Sequence, residues 1–306
     1  MKAVVCTRYG PPEVLQLREL EKPAPKPDEV RIKIHATAVT SSDCIIRSFN
    51  LPASMWIPAR LVLGITRPRR PVLGMVLAGE VEATGNGVGS FREGDQVFGF
   101  DRFGFGAYAE YKCMPEDGVL APKPSDLSYE EAAAIPYGGL LALYFLRRAK
   151  IRGGQRVLVY GASGAVGTSA VQLAKHFGAE VTGVCSTPNM GSVRSLGADA
   201  VIDYTKDDFT KEGERYDLIF VAVGDRVNPP SRAECGKALA PDAVYVSVDQ
   251  GRPKHFTEDL VLLKQLVEAG KLKPVIDRCY PLEQIAEAHR YVDKGHKKGN
   301  VIVTVA

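Results

Sequence analysis

The sequence lacks any run of about 18 apolar residues, the length that a membrane-spanning helix requires. Its first residues, MKAVVCTRYG, contain no long apolar stretch followed by a small-residue cleavage site, so they predict no signal peptide. A net charge of +3 is too small to predict nucleic-acid binding. We therefore expect a cytoplasmic protein that has neither a membrane nor a nucleic acid as its partner.

Cysteine is scarce and scattered, which argues against a structural zinc site. The six cysteines form no CxxC pair, whereas structural zinc needs closely spaced ligands. Reduced thiols are the default for such a pattern. Over 306 residues, 45% hydrophobic and 25% charged positions are typical of a soluble globular enzyme with room for two domains.

The pattern of strands and helices changes along the chain. Short strands separated by Gly, Pro and Asp turns are predicted in residues 1–120, at KAVVC, EVRIKIHATAV, LAGEVEATG, DQVFGF and AYAEYKC. Ser128 followed by Glu130 and Glu131 then predicts a helix start. From about residue 155 strands and helices alternate, which predicts a doubly wound parallel sheet.

These patterns predict an α/β protein with two domains. The alternating strand at the end of the chain, in GNVIVTV, is expected to return to the β-rich domain. The predicted division is therefore residues 1–122 with 272–306 for the β-rich domain, and 123–271 for the doubly wound domain.

The stretch VLVYGASGAVGTSAVQLAK predicts a strand, a glycine turn and a helix in immediate succession. Glycines permit a tight turn and a close approach of the backbone to a ligand, and the start of the new helix favours a phosphate. An ordinary strand-to-helix turn is the alternative interpretation. The residues predicted to bind a dinucleotide here are Gly161, Ala162, Ser163, Gly164, Ala165, Val166 and Gly167.

The order of these motifs resembles the medium-chain dehydrogenase/reductase superfamily, and within it the zinc-free quinone oxidoreductase and alkenal/enone reductase branch. The resemblance extends nearly from end to end, and its further carriers are GPPEVLQL, LAGEVEATGNGVGSFREGDQVFGF, GAYAEY, AAAIPYGGLLAL, LGADAVIDYT and GHKKGNVIV. It implies a GroES-like β-rich domain, a Rossmann domain and reduction of quinones or carbonyl-conjugated double bonds with NADPH.

The resemblance also implies that both zinc sites are absent. Zinc-using relatives have Cys where this chain has Thr40, and Gly-His-Glu where it has Gly74, Met75 and Val76. Without a Lewis acid, hydride addition to an already activated acceptor is the favoured chemistry. Val221 likewise stands where relatives commonly have Asp, and the sequence offers no physical reason for it.

The residues after the second strand of the Rossmann domain favour NADPH, with NADH possible but weaker. Ser186 and Thr187 provide hydroxyls and no carboxylate, although Pro188 stands where relatives often have a basic residue. Relatives also imply cofactor contacts at a second set of positions, which are Tyr204, Val223, Lys298, Gly299 and Asn300.

The catalytic candidates implied by the resemblance are Thr40, Ser42 and Tyr137. Thr40 stands near the nicotinamide position, Ser42 aligns with a proton-relaying hydroxyl, and the phenol of Tyr137 could donate a proton. Structural alternatives are Ser42 as a helix cap and Tyr137 as a core aromatic residue. Asp43 is interpreted as a buried hydrogen-bond anchor.

Two other functions stay open at this stage. One is an enoyl-thioester reductase, for which RLVLGITRPRRPV could offer arginines to an anionic carrier, and the other is a non-catalytic dinucleotide-binding interaction protein. The substrate partner is expected to be a small molecule. Since QGRPKHF lacks the pattern of a strand, the parallel sheet is expected to lack its usual last strand, which predicts a monomer or a non-standard dimer.

Overall fold

The structure, a computed structural model, describes residues 1–211, 213–224, 227, 229–251 and 253–305. The chain forms two compact units, Met1–Pro136 with Ile276–Ala306, and Tyr137–Val275. The first unit extends beyond residue 122 because the helix that starts after Ser128 packs on its sheet. The domain bounds expected from the sequence remain a proposal.

The described strands and helices follow one another along the chain without internal repetition. In order they are β1 (Lys2–Cys6), β2 (Leu15–Glu19), β3 (Glu29–Val39), α1 (Ser41–Ser48), α2 (Trp56–Leu63), β4 (Val76–Thr84), β5 (Gln96–Phe100), β6 (Tyr111–Pro115), β7 (Leu120–Pro122), α3 (Tyr129–Ala133), α4 (Pro136–Arg148), β8 (Arg156–Tyr160), α5 (Ala165–His176), β9 (Glu180–Cys185), α6 (Met190–Ser195), β10 (Ala200–Asp203), β11 (Tyr216–Val221), α7 (Arg232–Gly236), β12 (Leu239–Ser247), α8 (Thr257–Glu268), β13 (Ile276–Pro281), α9 (Ile285–Asp293) and β14 (Asn300–Thr304).

A seven-stranded sheet forms the first unit. Its strand order is β13-β14-β3-β4-β5-β7, with β6 also paired to β3, while β1 and β2 form a separate hairpin. The alternating side chains of β3 bury Val30, Ile32 and Ile34 in one core. Strand β14 pairs antiparallel with β3, Val301 opposite Val39, which confirms that the end of the chain returns to this unit.

A parallel sheet forms the second unit, in the order β10-β9-β8-β11-β12, so the doubly wound prediction is confirmed. Its central strand β8 is buried on both faces, and Val157, Leu158 and Val159 are fully buried. No described helix is both long enough and apolar enough to cross a bilayer.

Helix boundaries follow local sequence signals closely. Ser128 caps α3, its Oγ accepting from the Glu131 N–H at 3.2 Å while its own N–H donates to Glu131 Oε2 at 2.9 Å. Helix α8 begins at Thr257. The sequence interpretation did not include several short elements, which are β2, β7, β13, α1 and α2.

Among the described residues, the parallel sheet ends with β12. Residues 248–251 and 253–256 contain no strand and lead directly into α8, as expected for a segment with Pro253 and a basic Lys254. Arg252, part of the same prediction, lies outside the described residues. The described residues therefore provide no strand after β12 through which the parallel sheets of two chains could join in a dimer.

We expect the purified protein to be a monomer, or to dimerise through another surface. Proline and basic side chains next to a sheet edge disfavour edge-to-edge pairing. Light scattering coupled to size exclusion measures the mass, and a solved structure of any dimer identifies its surface. A dimer joined strand to strand through residues 243–256 would contradict the expectation.

Candidate functional site

The turn after β8 has a backbone that only glycine accommodates easily. Gly161 has φ +78°, and a Cβ placed on it would lie 2.3 Å from Cγ1 of Val223. The N–H groups of Gly161 and Ala162 both donate to the carbonyl oxygen of Val184, each at 3.0 Å. The turn is thereby fixed to the end of the neighbouring strand β9.

Helix α5 packs directly on this turn through Gly167. A Cβ at Gly167 would lie 2.1 Å from the carbonyl oxygen of Gly161 and 2.8 Å from Cα of Ala162. By contrast, a Cβ at Gly164, the N-cap of α5, would meet only the Gly161 oxygen at 3.6 Å. Gly167 therefore serves packing, and Gly164 leaves open space before the N–H groups of the first turn.

A small polar cluster borders the turn. Asn189 Nδ2 donates to Ser186 Oγ at 3.1 Å and to Ser163 Oγ at 3.3 Å. The Oδ1 atom of Asn189 is buried and has no hydrogen-bond partner within the described part of the chain. A buried acceptor of this kind suits a hydroxyl donor from a bound ligand. Asn189 was not among the predicted residues, because no spacing rule singles it out.

A carboxylate lies beside the second predicted hydroxyl. Asp203 at the end of β10 pairs in register with Cys185, and its Oδ2 accepts from Thr187 Oγ1. Its other oxygen accepts from Thr205 Oγ1 at 2.7 Å and from the Thr205 N–H at 3.1 Å. These hydrogen bonds, from Thr187 first, lower the pKa of Asp203 to about 2.

The end of β9, from which the cofactor preference was predicted, has no carboxylate, but β10 supplies one, Asp203. The Thr187 hydroxyl donates its proton to Asp203 and not outward. Tyr204, also predicted, follows Asp203 and is 46% exposed, with its N–H donating to the carbonyl oxygen of Cys185 at 3.1 Å. Its ring centroid lies 6.1 Å from that of Tyr160.

Three predicted cofactor residues belong to the other compact unit, two in the turn before β14 and one at its first position. The Lys298 N–H donates to Asp277 Oδ2 at 2.9 Å, and its side chain is exposed. Gly299 has φ +55° and accepts from Nζ of Lys297 at 2.5 Å. Burial lowers the pKa of Lys297 to about 8. Asn300 is 5% exposed and begins β14.

Thr40 and Asp43 form the cap of α1. Thr40 Oγ1 accepts from the Asp43 N–H at 3.1 Å and donates to Asp43 Oδ2 at 2.6 Å, and the Thr40 N–H donates to that oxygen at 2.9 Å. Both residues are buried, so the interpretation of Asp43 as an anchor is confirmed. The cap of the helix is Thr40 and not Ser42, which is half-buried in the first turn.

Helix α1 is also held by a buried polar cluster that the sequence did not predict. His289 Nδ1 lies 3.4 Å from Cys44 Sγ and accepts from Arg47 Nε at 3.3 Å. Arg47, 1% exposed, pairs with Asp293 at 2.5 Å. Burial, followed by the charge of Arg47, lowers the pKa of His289 to about 3. The imidazole is therefore neutral and structural.

The remaining candidates are placed as follows. Tyr137 is half-buried in the first turn of α4 and belongs to the second unit, whereas Thr40 and Ser42 belong to the first. Met75 and Val76 are buried apolar side chains, and Val221 is a core residue of the parallel sheet. No group of three His, Cys, Asp or Glu side chains suited to a metal ion occurs among the residues that the structure describes.

The chain matches known protein families and known enzymes. Residues 26–125 match the alcohol dehydrogenase GroES-like domain family, and residues 165–270 and 250–303 match zinc-binding dehydrogenase families. The chain is 33% identical to the NADPH-dependent alkenal/one oxidoreductase, chloroplastic, of Arabidopsis thaliana, over 99% of this chain and 79% of the relative. It belongs to the medium-chain dehydrogenase/reductase superfamily.

Two further similarities support this assignment. The pig (Sus scrofa) quinone oxidoreductase is 31% identical over 98% of this chain and 95% of its own length. The solved quinone oxidoreductase of Coxiella burnetii superposes with a TM-score of 0.83 at 27% identity, covering 100% of this chain and 99% of that one. The protein is thus an oxidoreductase of the medium-chain superfamily, with a GroES-like unit and a Rossmann-like unit.

Two buried groups in this superfamily member predict opposing pH effects on stability. Burial raises the pKa of Asp43 from 3.8 to about 6, although its hydrogen bonds with Thr40 lower it. The contribution of Asp43 to the free energy of unfolding is fully present below pH 3.8 and is lost as pH rises through about 6. The pKa of His289 is lowered from 6.5 to about 3, so its pH effect on stability has the opposite sign. Its contribution is present above pH 6.5 and is lost as pH falls, because the unfolded chain gains the proton first.

We expect Asp43→Asn to expose the histidine contribution. From about pH 6 down to pH 3.8, the variant's free energy of unfolding should fall more steeply than that of the wild type, by roughly 1 kcal/mol per pH unit. Urea unfolding at several pH values measures this slope. Asp117→Asn, on the surface, is the control, and parallel slopes for the two variants would contradict the expectation.

Proposed function

We propose that this protein is a zinc-independent reductase that uses NADPH to transfer hydride to a quinone or an α,β-unsaturated carbonyl. The observation that carries the proposal is the glycine turn between β8 and α5, where Gly161 and Gly167 have no room for a side chain and Gly164 leaves open space. Relatives at about a third identity with the corresponding activities in their names support the substrate class.

The residues of the second unit fit a dinucleotide. Residues 161–167 would hold the pyrophosphate with the N–H groups at the start of α5. The buried Oδ1 of Asn189, beside Ser163 and Ser186, would accept from a ribose hydroxyl. Tyr204 and Val223 border the same turn and strand ends. Lys298, Gly299 and Asn300 stay cofactor candidates on the resemblance alone.

When bound, NADPH supplies the hydride, so the chain has to orient the acceptor and provide a proton. Ser42 and Tyr137 are the proposed proton donors or carbonyl-orienting groups, because each hydroxyl is on a half-buried residue. Thr40 is proposed to act through α1, since its hydroxyl donates to Asp43 and thereby fixes the first turn that carries Ser42.

The donor set at the zinc positions of relatives supports zinc independence. The Thr40 hydroxyl is engaged in the N-terminal cap of α1 through its hydrogen bond to Asp43, and Met75 and Val76 have apolar side chains. Quinones and conjugated carbonyls are already electrophilic, so hydride addition does not depend on metal polarisation. The small-molecule substrate and a cytoplasmic location complete the proposal, and the latter rests on the sequence alone.

The test is NADPH oxidation by the purified protein with a benzoquinone, 2-hexenal and crotonyl-coenzyme A in parallel. We expect turnover with the quinone or the alkenal and little with the thioester. Preference for the thioester would favour the enoyl-thioester reductase alternative. Tight NADPH binding without turnover of any acceptor would favour a non-catalytic binding protein, and both results would contradict the proposal.

Replacing Gly164 tests the pyrophosphate site. We expect Gly164→Val to weaken NADPH binding at least about a hundredfold, because its side chain fills the space over amide hydrogen bonds that contribute roughly 1.5–3 kcal/mol each. Its φ of −81° and open surroundings allow the fold to remain. Calorimetric titration measures affinity, with Gly236→Val as a control at another open glycine. Unchanged affinity in folded Gly164→Val protein would overturn the assignment.

The preference for NADPH over NADH is expected to be modest. Pro188 stands where relatives often have a basic residue, and the Thr187 hydroxyl donates its hydrogen bond to Asp203 and not to a phosphate. Pro188→Arg should raise the NADPH-over-NADH ratio by about tenfold or more, the value of one charge-assisted phosphate contact. Pro188→Ala separates the loss of proline from the gain of charge. An arginine variant with no higher ratio than the alanine variant would count against this placement of the 2′-phosphate.

Metal content is a separate expectation. The purified protein should contain no stoichiometric zinc, and a chelator should leave turnover unchanged, since the positions that hold zinc in relatives lack suitable donors. Elemental analysis by plasma mass spectrometry gives the zinc-to-chain ratio. About one zinc per chain, lost together with activity on chelation, would refute zinc independence.

A further inference from the structure

An apolar surface surrounds α2 in the first unit. Only Ala59 of this helix is buried, and large apolar side chains project around it and its flanks. The exposed members, which we call the α2 patch, are Met55 (50%), Trp56 (51%), Ile57 (76%), Leu61 (63%), Val62 (65%) and Ile65 (68%). Scattered single exposed residues need no explanation, but six exposed large apolar residues within eleven consecutive positions do.

The α2 patch is held in place by contacts beneath it. The Arg60 guanidinium lies 4.2 Å from the ring centroid of Phe49, 5.2 Å from that of Tyr9 and 5.4 Å from that of Trp56. The Tyr9 hydroxyl donates to the carbonyl oxygen of Gly64 at 3.0 Å. The apolar side chains are therefore displayed on an anchored segment.

The stretch of chain that carries the patch has charges of one sign only. Residues 44–79 contain five arginines and no aspartate, glutamate or lysine. Three of these arginines, Arg67, Arg69 and Arg70, follow the helix, are exposed and make no ion pair with any residue that the structure describes. Uncompensated guanidinium groups next to an apolar face call for an occupant that is both anionic and apolar.

A cavity of about 570 Å³ connects the two features. Its lining includes Ile65 of the patch, the guanidinium-bearing residues Arg18, Arg67 and Arg69, and the hydroxyl-bearing Thr7, with no carboxylate among the described lining residues. Guanidinium groups bind phosphate oxygens in a bidentate manner. The cavity therefore suits a phosphate-bearing headgroup at the edge of the patch.

We propose that the α2 patch docks the protein on the surface of a bilayer containing anionic lipids, with Trp56 and the aliphatic side chains entering the interface and the arginines contacting headgroups. Anionic bilayers offer apolar chains and negative charge side by side, and tryptophan favours this boundary. The expectation of no membrane partner rested on the lack of spanning and signal segments, which does not bear on a helix lying in the surface.

The test uses the chain's own fluorophore, because Trp56 is the single tryptophan. The full-length protein is mixed with vesicles of phosphatidylcholine alone, or of phosphatidylcholine with phosphatidylserine. We expect co-sedimentation with the anionic vesicles only, a blue shift of the tryptophan emission, quenching by brominated acyl chains, and release at high salt.

Variants separate the two contributions. Ile57→Gln with Leu61→Gln and Val62→Gln should abolish the blue shift, and Arg67→Gln with Arg69→Gln and Arg70→Gln should weaken vesicle binding roughly a hundredfold, at about fivefold per arginine. Matched controls at other exposed positions are Leu17→Gln with Val244→Gln and Phe256→Gln, and Lys237→Gln with Lys271→Gln and Lys294→Gln. Circular dichroism checks that every variant is folded.

Three results would overturn the proposal. The first is no sedimentation of the wild type with anionic vesicles at low salt. The second is sedimentation without a blue shift, which would mean charge attraction without insertion of the helix. The third is a concentration-dependent blue shift without vesicles, abolished in the helix variant, which would make the patch an interface between two copies of the chain.

Discussion

The first turn of α5 lies so close to the turn after β8 that one methyl group at residue 167 would overlap the carbonyl oxygen of Gly161, 2.1 Å away. This close packing fixes where the helix begins. Because β8 is the central strand of a parallel sheet, the N–H groups of that first turn face the carboxyl edge, where β9 and β10 also end. Ser163, which follows β8, therefore meets Ser186 and Asn189, which follow β9.

Strand register at that edge adds a feature that works against the proposed cofactor preference. Pairing of β10 with β9 sets Asp203 opposite Cys185, so the carboxylate reaches the Thr187 hydroxyl that follows β9. An ionised group with several hydrogen bonds is strongly held, and its negative charge opposes a second negative charge nearby. The second unit thus combines a tight glycine turn with a carboxylate at the position proposed for the ribose.

Local patterns in the sequence predicted the elements whose signals are local. Strand β3 has the bounds that its alternating run EVRIKIHATAV indicated, and the capping box at Ser128 starts α3. Strand β7 has only three residues, and β13 has a shifted register and ends at Pro281, so neither carries a readable period. The bond between Arg47 and His289 joins residues 242 positions apart, beyond the reach of any local rule.

Helix α1 shows how structural and chemical roles divide on one short element. Thr40, Asp43, Cys44 and Arg47 recur at helical spacing and form its buried side, bonded within the cap or to His289 and Asp293 of α9. The titratable groups on this side are engaged in buried hydrogen bonds and an ion pair, so they are unsuited to transfer a proton during turnover. Ser42 is half-buried and lies outside this helical spacing, so the contacts that immobilise the helix fix the position of its backbone. Ser42, the proton donor proposed on α1, is therefore carried by a helix that the buried side fixes, without belonging to that side.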